Sequence, residues 1–71
     1  MDLAGLKVKA VICPYGEYRP GSLVSVTDEG SFYRIDGTCI IDKFKIRDVR
    51  RAGDRVEIEM TDKTVVLEVQ Q

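Results

Sequence analysis

The chain has 71 residues, of which 44% are apolar and 32% charged, with a net charge of −1, no histidine and no tryptophan. That balance fits a single small domain over residues 1–71, near the lower size limit for a self-sufficient core, and excludes a disordered chain. The longest apolar run is four residues, Ala10 to Cys13. This is too short to span a bilayer, and with no basic-then-apolar leader pattern a cytoplasmic location is expected.

Leu6, Val8, Ala10 and Ile12 alternate with Lys7, Lys9 and Val11, the period of a β-strand. Pro14, Gly16, Pro20 and Gly21 then make 14–21 a loop that carries Tyr15 and Tyr18. Strand-like segments follow at 22–27, 31–35, 38–49, 55–60 and 64–70. They are separated by Asp28-Glu29-Gly30, Asp36-Gly37, Ala52-Gly53-Asp54 and Asp62-Lys63. Asp-Gly is a strong hairpin signal because a type I′ turn needs positive φ at both central residues. No segment sustains a helical period. The expectation is all-β: a small antiparallel barrel or strongly bent sheet of five to six strands.

Register arguments sharpen this. A turn at Asp62-Lys63 sets Met60 opposite Val65, Ile58 opposite Leu67 and Val56 opposite Val69, all on one apolar face, while Glu57 and Glu59 point to water. Facing Val49 with Val56 and Ile46 with Ile58 requires a β-bulge near Arg47-Asp48, with Lys45 beside Glu59 outside. A two-residue turn at Asp36-Gly37 sets Tyr33 opposite Ile40, on a core face shared with Phe44 and Ile46. The same turn sets Phe32 opposite Ile41 and Arg34 opposite Cys39 on the other face, with Val24 or Leu23 joining from the preceding strand according to its register. This half of the sheet is therefore expected to be apolar on both sides. Phe32, Ile41, Cys39 and Val24 become the candidate interface, covered by a second protein surface.

Catalytic chemistry finds little footing. Without histidine, a Ser or Cys nucleophile would need a Lys or carboxylate base, and no carboxylate pair stands out. Cys13 and Cys39 lie 26 positions apart with no neighbouring ligand, so no zinc site is expected. They read as small core residues; a disulfide between them would stabilise so short a chain, although the spacing does not demand one. The expectation is no enzyme, no metal and no cofactor.

Charge is uneven. Residues 43–55 hold Lys43, Lys45, Arg47, Arg50, Arg51 and Arg55 against Asp48 and Asp54. Lys43, Lys45, Arg47, Arg50 and Arg51 are the candidate anion-binding residues for RNA or DNA. The competing expectation is a wet strand face whose cations pair with Glu57 and Glu59.

Two resemblances accompany these patterns. Gly21-Ser-Leu-Val-Ser-Val-Thr-Asp, Ser-Phe-Tyr-Arg-Ile, Phe44-Lys-Ile-Arg-Asp-Val and the run from Val56 to Val69 resemble the strands of bacterial pleckstrin-homology-like and GRAM-like domains over residues 21–69. Those families bind proteins or phosphoinositides and close their barrel with a C-terminal helix, which this strand pattern lacks. Gly16-Glu-Tyr-Arg-Pro-Gly21-Ser-Leu with Asp28, and Ile46-Arg47, resemble the two motifs of Sm-like barrels, with Ser31 and Asp48 standing where the RNA-contacting Asn and a Gly belong. The architecture implied is SH3-like or pleckstrin-homology-like. The expected function is a non-catalytic interaction or assembly module whose partner is a protein, most simply a second copy. Nucleic-acid binding through 43–55 is the alternative, with anionic lipid behind both.

Overall fold

Alternation and tight turns condense, among the described residues, into eight short strands. The computed structural model describes residues 2–37 and 39–70. In it β1 (Lys7–Cys13) is followed by β2 (Gly16–Tyr18), β3 (Val24–Asp28), β4 (Phe32–Ile35) and β5 (Cys39–Asp42). A 3-10 turn, Lys43–Lys45, leads to β6 (Ile46–Ala52), β7 (Arg55–Met60) and β8 (Thr64–Val69). All pairings are antiparallel, in the order β5-β4-β3-β1-β8-β7-β6, with β2 paired to the end of β1. The sheet is open, its strand path ending at border strands β5 and β6. The all-β class is as expected, but the strand number is higher for two reasons. The 3-10 turn divides the long segment 38–49, and the 14–21 loop contains β2, joined to β1 by a tight turn at Pro14-Tyr15 with Cys13 opposite Gly16.

Two features bend the sheet around its core. β3 pairs with β1 through Val24 and Ser25, then with β4 from Val26 onward, so one strand turns the corner between two sheet segments. In β1, Val8 faces Val69 but Ala10 faces Glu68, which makes Lys9 the extra residue of a bulge. The bulge resets the alternation: Val11, expected outside, is buried, and Ile12 is only half-buried. Gly5 N–H donates to the Val26 carbonyl and Val26 N–H to that of Leu6, both at 2.9 Å, which draws Leu3 fully into the core.

One apolar cluster fills the bend, built from Leu3, Val8, Val11, Val26, Tyr33, Ile35 and Ile41 on one side and Val56, Ile58, Met60, Val65, Leu67 and Val69 on the other. Leu6, Ile46 and Val49, expected inside, are partly buried against it. Ile40 and Phe44, also expected inside, are exposed.

The C-terminal hairpins keep the expected faces in a shifted register. Ile58 faces Val65 and Val56 faces Leu67, two residues from the expected pairing, because Met60 N–H bonds the Lys63 carbonyl at 2.8 Å and moves the turn to Thr61-Asp62. Likewise Val49 faces Ile58 and Ile46 faces Met60, around a bulge at Arg47 where one was expected. A shift of two leaves every side chain on its own face. Lys45 is placed not beside Glu59 but 3.6 Å from Asp62 and 3.9 Å from Asp42.

Candidate interaction surfaces

The β4–β5 hairpin departs from expectation by one residue, and this decides the surface. Ile35 faces Cys39, so the connection has three residues rather than two, and Tyr33 faces Ile41 while Arg34 faces Ile40 and Phe32 faces Asp42. Asp36 takes the left-handed conformation, φ 59°, and Gly37 does not, so the expected type I′ turn is absent. Asp36 is held from outside the hairpin: its carboxylate accepts the Tyr18 hydroxyl from β2 and the Gly37 N–H at 2.7 Å. These two bonds hold the Asp36 carboxyl below its ordinary range, the hydroxyl contributing most.

The expected interface changes with the register. Ile41 is 3% exposed and belongs to the core, so it cannot line an outer face. Cys39 and Val24 lean inward too, partly buried against the cluster. Of the expected four, Phe32 alone stays on the outer face of β4, half-buried, with the Arg34 guanidinium 5.5 Å from its ring centre. The apolar surface passes instead to Ile40, 52% exposed on border strand β5, and to Phe44, 78% exposed in the 3-10 turn that follows. Pairing of Lys43 N–H to the Ser31 carbonyl at 3.0 Å continues the β4–β5 ladder up to that turn. Counted from this bond, alternation directs the peptide groups of Ile40 and Asp42 away from β4, along the open border.

The basic stretch is partly neutralised within the fold. Lys43 Nζ lies 2.7 Å from Asp28 and 4.8 Å from the Tyr33 ring centre. The Asp28 hydrogen bond holds the Lys43 ammonium above its ordinary pKa and, with the Gly30 N–H, holds Asp28 below its own. Lys45 reaches Asp42 and Asp62, and Arg50 reaches Glu57 at 3.0 Å and Asp48 at 3.6 Å. Among the described residues Arg47, Arg51 and Arg55 make no ion pair, and Arg51 donates to the Gly53 carbonyl at 3.2 Å. Arg50, Arg51 and Arg55 border a cleft of about 300 Å³ at the tip of the β6–β7 hairpin, with Ala52 and Glu57. So the five candidate anion-binding residues divide. Arg50 and Arg51 converge there, Arg47 sits apart at the bulge, and Lys43 and Lys45 lie at the 3-10 corner.

Border strand β6 is partly guarded against further pairing. Counting from the turn at Gly53-Asp54, the peptide groups of Val49 and Arg51 point away from β7. The Asp48 carboxylate accepts the Val49 N–H at 3.0 Å, and the bulge at Arg47 interrupts the strand beside it.

Cys13 and Cys39 are free and half-buried, the Cys13 thiol donating to the Gly16 carbonyl at 3.4 Å. No group of three or more His, Cys, Asp or Glu is placed to hold a metal ion among the described residues. Nor is any helix there long and apolar enough to cross a membrane. Ile40 and Phe44 were missed as surface residues, although one signal was present. Any strand face that takes Ile40 inside takes Asp42 with it, and a buried unpaired carboxylate is costly. Comparison with family models, curated proteins and solved structures yields no match.

Proposed function

We propose that this chain is a non-catalytic interaction module, an SH3-like or pleckstrin-homology-like small barrel that docks a protein surface on its β4–β5 side, most simply a second copy of itself. The exposure of Phe44 and Ile40 along an unguarded sheet border carries this reading. Exposing a large apolar side chain forgoes about 1.5–3 kcal/mol of burial, and two of them with half-buried Phe32 nearby favour an interface. A two-fold contact would let each β5 border meet its copy. The test is sedimentation at micromolar concentration for the wild type and for Ile40→Ser with Phe44→Ser. A concentration-dependent dimer that the double variant abolishes is expected. A wild type that stays monomeric throughout overturns self-association.

Anion binding at the β6–β7 tip is the second reading, favoured by Arg51 and Arg55 at its cleft, which make no ion pair among the described residues. Binding to mixed-sequence RNA would then weaken by roughly one power of salt concentration per phosphate contact. Arg51→Glu with Arg55→Glu should abolish it, whereas Lys43→Gln, which removes a cation already paired to Asp28, should change it little.

A further inference from the structure

We propose that Cys13 and Cys39 form a dithiol–disulfide pair that ties border strand β5 to β1. The two cysteines of this chain stand 26 positions apart, on strands that are not neighbours in the sheet. They nevertheless border the same two cavities. One, of about 60 Å³, has Val11, Ile35 and Val65 as apolar lining and Lys63 beside it. The other, of about 200 Å³, includes Tyr15 and Tyr18. Both cysteines therefore lie between a small apolar slot and an outer cleft. Cys13 ends β1, in the middle of the sheet order, and Cys39 begins β5, its border, so a bond between them ties a free border to an interior strand.

The surroundings assign an order to the chemistry. Burial first and Cys13 second hold the Cys39 thiol above its ordinary pKa, which lowers its thiolate fraction and slows its attack on an external disulfide. The oxidant is a low-mass disulfide of the glutathione class. The Cys13 thiolate attacks one of its sulfurs, breaking that S–S bond and releasing one small thiol, which takes up a proton. The Cys39 thiolate then attacks the Cys13 sulfur of the mixed disulfide, forming the internal S–S bond and expelling the second small thiol, which is protonated in turn. The protein loses two electrons and two protons, and the small disulfide gains them.

The experiment treats the reduced full chain with oxidised glutathione, then reads intact mass and non-reducing peptide maps. The folded wild type should lose the mass of two hydrogen atoms with one bridge inside each chain. Cys13→Ser and Cys39→Ser should each stop at a single glutathione adduct. In urea the ratio of bridged to doubly adducted protein should drop by about tenfold or more, because folding supplies the effective concentration of one thiol at the other. Two adducts on the folded wild type, or bridges between chains only, would overturn the proposal. Both are read on the wild type, so a variant that fails to fold leaves the answer intact.

Discussion

The β7–β8 and β4–β5 hairpins both miss their expected registers, with opposite consequences. β7–β8 is displaced by two residues and keeps Val56, Ile58 and Leu67 in the core. β4–β5 is displaced by one, and Ile40 and Ile41 exchange places between surface and core. A strand apolar on one face tolerates error in multiples of two, whereas one that is apolar on both faces leaves its orientation to other residues. For β5 those residues are Asp42, which must stay in water, and Asp36 in the preceding turn, which Tyr18 holds from another strand.

The largest expected effect tests that exchange. Ile41→Ala should cost about 2–5 kcal/mol in urea denaturation, similar to Ile58→Ala, while Ile40→Ala should stay within about 0.5 kcal/mol for the isolated chain. Equal costs at 40 and 41 would mean that the hairpin samples both registers.

The turns supply a smaller contrast. Gly53, at φ 63°, sits in a two-residue turn where an L side chain is strained, so Gly53→Ala should cost about 1–2 kcal/mol by thermal or urea unfolding. Asp36 bears the same backbone conformation and is held there by side-chain bonds. Asp36→Gly should therefore destabilise through the lost Tyr18 contact, despite relieving the backbone, and Tyr18→Phe should reproduce that loss.

Acid sharpens the comparison further. Asp28 and Asp36 both titrate below the ordinary 3.8, the first held mainly by Lys43 and the second mainly by Tyr18. Each binds fewer protons in the folded than in the unfolded chain near that value. Their stabilising contribution is full above it and is lost as pH falls through the lowered values. Urea midpoints across acidic pH should decline less steeply in Asp36→Asn than in the wild type. An unchanged slope would mean that the Tyr18 bond does not distinguish the charged carboxylate from the neutral amide.

Much of the fold was legible in the sequence. Strand alternation located the six core positions of β7 and β8, and the mismatch between Val49 and Ile46 located the bulge at Arg47. Two kinds of information were not local. The bulge at Lys9 exchanges the exposures of Val11 and Ile12, and nothing in the alternating run 6–12 marks it. The three-residue connection after Ile35 depends on Tyr18, a residue of another strand that read only as part of a loop. The candidate surface fared worse than the core because it was inferred from the one hairpin whose register was ambiguous.

The carboxylate of Asp48 over the Val49 N–H has a consequence for how copies of this chain could grow. Stacking β5 of one molecule onto β6 of the next would be a head-to-tail contact, which repeats without limit and builds a ribbon. Occupying the Val49 N–H and breaking the strand at Arg47 disfavours that geometry relative to β5-to-β5 contact, which pairs like borders and stops at two. Asp48→Ala should therefore convert a finite species into one that scatters light progressively with concentration.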